Sequence, residues 1–168
     1  ALCLKAGLRS CKELREAKMA HWISKGLSVA DLALLGTLGS MLSALETLVF
    51  LERSAGPAGP DGVQRLAEGL GTGALPAVTV LQLSNMHVGD AGASALAAAL
   101  GRGALPRLKS LILSSAGIGD AGLVALAPAL RRLPALEGLA ISGNPFGDEG
   151  LAALLSPPPA VAPPLPTG

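Results

Sequence analysis

Residues 117–122 read Gly-Ile-Gly-Asp-Ala-Gly, the G-x-G-x-x-G spacing that lets a backbone approach a pyrophosphate where a helix begins. The segment follows a strand-like run and opens a helix-like one, which is the context a dinucleotide site requires. Two features speak against that chemistry. The same place in neighbouring segments reads Met86-His-Val-Gly-Asp-Ala-Gly92 and Asn144-Pro-Phe-Gly-Asp-Glu-Gly150, so the first glycine of the fingerprint is incidental. Asp120 inside the loop would repel a pyrophosphate, and the next strand ends without an acidic residue for a ribose. The segment reads as a repeated turn, and no cofactor is expected.

The remaining reactive side chains are few. His87 lies beside Asn85 and Asp90, where it could act as a base, yet no motif sets a Ser or Cys nucleophile next to it. It reads as a solvated loop residue. Ser114 and Ser115 read as turn residues, and Asp148-Glu149 as a helix start rather than a carboxylate dyad. Cys3 and Cys11 are the only cysteines, with no second Cys or His pair at ligand spacing. Zinc is therefore not expected; reduced thiols on a short helix, in a cytoplasmic setting, are. The chain is expected to be no enzyme, with neither catalytic residues nor a metal.

What must position these residues is an internal repeat. Val78-Thr-Val-Leu81-Gln-Leu83, Leu108-Lys-Ser-Leu111-Ile-Leu113 and Leu136-Glu-Gly-Leu139-Ala-Ile141 each read apolar-x-x-apolar-x-apolar. Five residues further on stand Val88, Ile118 and Phe146, followed by Gly-Asp-x-Gly at 89–92, 119–122 and 147–150. Leu96 and Leu100, Leu126 and Leu130, and Leu154 come next. A degenerate unit precedes these, with Leu45, Leu48 and Phe50 in its strand and Gly62, Leu66 and Leu70 in its helix; Glu52 to Pro60 between them is a Gly/Pro loop. Leu27 to Leu42 looks like a helix without a recognisable strand before it.

The physics of one unit is simple. Alternating leucines in a short strand point to one side, and leucines at i and i+4 of a helix face back toward them. Asp90, Asp120 and Asp148 sit where helices start and can accept bonds from free N–H groups there. Ala-Leu-Pro at 104–106 and Leu-Pro at 133–134 end the helices. One unit cannot bury its own face, so neighbours must stack.

These residues resemble the ribonuclease-inhibitor class of leucine-rich repeats, across roughly Leu45 to Leu155. The resemblance implies an α/β solenoid of about three and a half repeats, with a short parallel sheet on the concave face and helices on the convex face. It departs from the family at the strand-exit turn, where only Asn144 fits the Asn position and Met86 and Ala116 replace it, so looser turns are expected. The expected organisation is a helical N-terminal cap or truncated unit over 1–44, the solenoid over 45–155, and a Pro-rich disordered tail over 156–168.

Composition agrees with thin, regular layers. Half of the 168 residues are apolar, yet Trp22, Phe50 and Phe146 are the only aromatics, so Leu and Ala must fill the core. A net charge of +1 favours neither nucleic acid nor an anionic membrane. The apolar run Leu32–Leu45 is too short to span a bilayer. Leu8-Arg-Ser-Cys11-Lys-Glu-Leu14-Arg-Glu-Ala17 reads as an amphipathic helix, with Trp22 and Ile23 packing it onto the first unit. It resembles the closing helix of an F-box. Pro163-Pro-Leu-Pro166 could serve a WW or SH3 domain. The chain begins at Ala1 rather than Met, which suggests a fragment.

The family resemblance implies that a partner protein binds the concave face. Among the outward-pointing positions, the candidate contacts are Glu46, Thr47, Thr79, Val80, Gln82, Lys109, Ser110, Ile112 and Glu137. They lack Trp, Tyr and Arg anchors, so weak binding is expected. The alternatives are the substrate-receptor arm of an F-box ubiquitin ligase, or the recognition arm of an enzyme whose catalytic domain lies elsewhere.

Overall fold

Alternation along short strands puts Leu48 and Phe50, Leu81 and Leu83, and Leu111 and Leu113 on one buried face, each 2% exposed or less. A computed structural model describes residues 2–52 and 58–157. Its strands are β1 (Met19–Ile23), β2 (Thr47–Leu51), β3 (Val80–Ser84), β4 (Ser110–Ile112) and β5 (Gly138–Ala140). They form one parallel sheet in sequence order. Helices α3 (Val29–Leu38), α4 (Gly59–Gly69), α5 (Gly89–Gly101), α6 (Asp120–Arg131) and α7 (Asp148–Leu155) follow the strands in turn, each packing on the next helix. Two short helices, α1 (Leu2–Lys5) and α2 (Cys11–Glu16), precede the sheet. The product is a repeat solenoid with one core running between sheet and helices.

The N-terminal segment differs from expectation. The stretch 1–44, read as a helical cap or a truncated unit, contributes β1, a strand not recognised in the sequence, which pairs with β2 from Met19 with Thr47 to Ile23 with Leu51. Ala17-Lys-Met-Ala20-His-Trp22 obeys the repeat spacing, but Ala replaces Leu at the inward position, which hid it. Trp22 is fully buried and stacks on Phe50, with ring centroids 5.2 Å apart and planes 11° from parallel. Its indole N–H donates to the Leu2 carbonyl at 3.3 Å, which ties Trp22 to α1 rather than to the helix expected over 8–17, and Ile23 points outward. The expected helix over 8–17 is shorter, because Ser10 caps it and its side chain accepts from Glu13 N–H.

The aspartates work differently from a local cap. Asp90 Oδ1 accepts from Gly119 N–H (2.7 Å) and Gly122 N–H (3.0 Å), at the start of the next repeat's helix. Asp120 repeats this with Gly147 and Gly150, both at 2.7 Å. Each carboxylate thus caps its neighbour, joining layers that the leucines only stack. Glycine is required at the receiving end, since a Cβ on Gly122 would lie 2.7 Å from Asp90 Oδ1. We expect Asp90→Ala to lower unfolding free energy by about 1–2 kcal/mol, read from a urea titration. An unchanged midpoint would show that water serves α6 as well.

The strand-exit turns close by two routes. The Asn144 amide bonds four backbone groups: Oδ1 accepts from Ala116 and Ile118 N–H, and Nδ2 donates to the Leu113 and Ile141 carbonyls. Where Met86 and Ala116 stand instead, both side chains are buried, and the Ala116 carbonyl accepts from Val88 and Gly89 N–H. Backbone thereby replaces the missing amide at the Met86 turn, which is bonded rather than loose.

At the N-terminal end, Ser28 and Asp31 form a reciprocal cap on α3, and Lys5 reaches Asp31 at 2.6 Å. Burial would raise the Asp31 carboxyl, but the bonds from Lys5 and from Ser28 backbone and hydroxyl, with the Lys5 charge, outweigh it and hold the carboxyl below its ordinary 3.8. A lowered folded value contributes stability above that ordinary value, which is lost as pH falls through the folded one. Asp31→Asn should therefore flatten the acid limb of stability below about pH 4, measured as urea midpoints against pH.

The Pro-rich motif at 163–166 lies outside the described residues, as does most of the 52–60 loop. Among the described residues no helix is long and apolar enough to cross a membrane.

Candidate functional site: the concave face of the sheet

Parallel pairing in register turns alternate strand positions into rows across the concave face. One row runs Met19, Thr47, Val80, Ser110, Gly138, and the next His21, Val49, Gln82, Ile112, Ala140. A third begins Ile23, Leu51, Ser84. Just ahead of the strands stands a charged row of Lys18, Glu46, Thr79, Lys109 and Glu137.

All nine candidate contact residues lie in these rows. Thr47, Val80, Gln82, Ser110 and Ile112 are half-buried on the face, and Gln82 Nε2 donates to Ser84 Oγ at 3.0 Å. Glu46, Thr79, Lys109 and Glu137 belong to the charged row. There Lys18 pairs with Glu46 at 3.3 Å and Lys109 with Glu137 at 3.4 Å, each across adjacent repeats, while Thr79 Oγ1 donates to the Glu46 carbonyl. Both ion pairs are largely solvated and add little stability. They present alternating charge along one rim of the sheet.

Sequence reasoning missed Met19, His21, Ile23 and Leu51. With β1 unrecognised, the first column of the face was invisible. It is the most apolar part: Met19 is 58% and Ile23 46% exposed, with Val49 and Leu51 beside them. The signal was present in the 28 residues from Met19 to Thr47, equal to those from Ser110 to Gly138.

His21 pairs with Val49 in register and has only Met19 and Ile23 on its own strand's outward side. His87 is exposed in its loop. Ser114 and Ser142 share a hydroxyl contact at 3.2 Å, on the same exit side as Asn85 and Ser115. Among the described residues no group of three or more His, Cys, Asp or Glu is arranged to hold a metal ion. At the G-x-G-x-x-G segment, the Gly119 and Gly122 amides that would meet a phosphate are occupied by Asp90. Gly119 and Gly122, the second and third glycines of the fingerprint, make room for that carboxylate.

Three stretches, residues 75–97, 105–127 and 134–155, match the family model for the leucine-rich repeat. They fall on the third, fourth and fifth strand–helix units. No curated protein matches the chain.

Proposed function

We propose, from the premise that this chain is a leucine-rich-repeat solenoid, that it is a non-catalytic module binding a partner protein on its concave sheet face. The observation that carries this reading is the outward patch of Met19, Ile23, Val49 and Leu51 on the first two strands, beside the Lys18–Glu46 ion pair, with the Lys109–Glu137 pair further along the same rim. An apolar patch beside a polar rim is the anatomy of an interface. Of the nine candidate residues, Thr47, Val80, Gln82, Ser110 and Ile112 contribute the middle of the same face and Glu46, Thr79, Lys109 and Glu137 its rim, with the β1 column as its anchor. Strand-to-strand spacings of 28, 33, 30 and 28 residues support placing the repeats in the ribonuclease-inhibitor-like class. The face carries no Trp, Tyr or Arg among the described residues, which favours micromolar rather than nanomolar affinity.

The test uses a photo-crosslinking amino acid placed at Gln82 on the concave face or at Ser94 on the convex side of α5. Adducts of one mass at Gln82, absent at Ser94 and abolished by Ile23→Glu, support the reading. Equal adducts at both positions, or adducts at Ser94 alone, overturn it.

A further inference from the structure

The turn from Ala6 to Ser10 folds α2 back beside α1 and brings the two cysteines together, Sγ to Sγ 3.3 Å. Nothing in the repeat architecture calls for this contact, since both residues precede the first strand. Cys11 is exposed and Cys3 half-buried. We propose that Cys3 and Cys11 are a redox-active dithiol that accepts a disulfide bond from a low-molecular-weight disulfide such as oxidised glutathione.

The step balances as thiol–disulfide exchange. The exposed Cys11 thiolate attacks one sulfur of the small disulfide, forming a mixed disulfide and releasing one glutathione thiolate. Cys3 Sγ, already in contact, then attacks the Cys11 sulfur and expels the second. The two protons lost by the cysteines end on the two glutathione thiols, so the chain is oxidised by two electrons and the small disulfide is reduced. The geometry assigns the order. Burial, then the bond to Cys11, pushes the Cys3 thiol up, and its partial cover keeps it from meeting the reagent first. Arg15 lines the same recess as Cys11, alongside Leu14, Leu38, Met41 and Leu42, and offers a cation to an anionic peptide disulfide.

The bond would matter through what α1 covers. This four-residue helix is held by the Trp22 indole on the Leu2 carbonyl and by Lys5 on Asp31 and the Gly26 carbonyl. A cross-link to α2, whose Leu14 is buried in the core, ties it down covalently. Oxidation then protects Trp22 at the start of the solenoid.

The full chain is incubated with graded ratios of reduced to oxidised glutathione, quenched in acid and weighed intact. Wild type is expected to lose the mass of two hydrogens and remain monomeric without an adduct. Cys3→Ser should instead keep glutathione on Cys11, and Cys11→Ser should react at least about tenfold more slowly. Acrylamide quenching of Trp22, the only tryptophan, should fall on oxidation of wild type and not of either variant. A wild-type chain that ends as a stable glutathione adduct or an intermolecular dimer overturns the proposal. Unchanged quenching overturns the link to the α1 cover.

Discussion

Leu111→Asp is expected to abolish the cooperative thermal transition. Leu111 is fully buried at the middle of β4, in register with Leu81 on one side and Leu139 on the other. A carboxylate there has no polar partner in its own row, and leaving it unpaired costs about 4–5 kcal/mol, against a typical total of ~5–15 kcal/mol. The position multiplies the effect. In a one-dimensional stack each repeat touches only its neighbours, so a broken fourth unit leaves the fifth without a platform. Ile112→Asp is the companion variant: one residue along, on the concave face and half-buried, it should cost about 1 kcal/mol and retain a sharp transition. Circular dichroism during heating separates them. A sharp transition near the parent midpoint in Leu111→Asp would mean that the strand phase is misassigned.

Gly36→Val should be nearly as damaging, for a reason that no hydrophobic pattern contains. Helices α3 and α4 cross backbone to backbone, and a Cβ on Gly36 would lie 2.5 Å from the Leu66 carbonyl oxygen and 3.1 Å from Gly69 Cα. The contact is mutual, since a Cβ on Gly69 would meet Gly36 Cα and C at 2.9 Å. Neither obstacle is a side chain that can swing away. The helices must separate, opening the layer around Leu32, Leu35 and Leu66, and we expect a loss of roughly 3 kcal/mol in urea unfolding. Gly101→Ala, with nothing within 4 Å of the added Cβ at the end of α5, should be neutral or stabilising by up to about 1 kcal/mol. If both variants unfold alike, the close crossing is not what limits α3 and α4.

Both predictions separate two kinds of information. Leu111 was assignable from the sequence because a strand's phase is a local property: its neighbours at 108 and 113 repeat the spacing of Leu81 and Leu139. The same holds for Leu96, Leu126 and the helix ends before Pro106 and Pro134. The crossing at Gly36 was not assignable, because it depends on how one helix sits on the next, a matter of register between residues about thirty positions apart. The aspartates divide in the same way. Their place at helix starts was legible, but the helix that Asp90 and Asp120 each cap is the following one.

The candidate site was legible in part, and unevenly. Thr47, Val80, Ser110 and their neighbours could be assigned outward because Leu48, Leu81 and Leu111 mark the inward phase beside them. Met19, His21 and Ile23 could not, because β1 carries Ala20 and Trp22 inside, where the other strands carry Leu or Phe. Pairing in register with β2 and stacking of Trp22 on Phe50 supply what the pattern lacks.

By itself, then, the sequence determined the repeating layer: which residues turn inward, where helices begin and end, and that a recurrent Gly-Asp-x-Gly marks where each repeat's helix starts. These follow from periodicity, which reports each residue's phase within its own element. Only the tertiary structure decided the first strand, the hand-over of each carboxylate to the next helix, the apolar column that heads the concave face, and the meeting of Cys3 with Cys11. Those are contacts between elements, and their energy depends on register and distance that a chain acquires only when its layers stack.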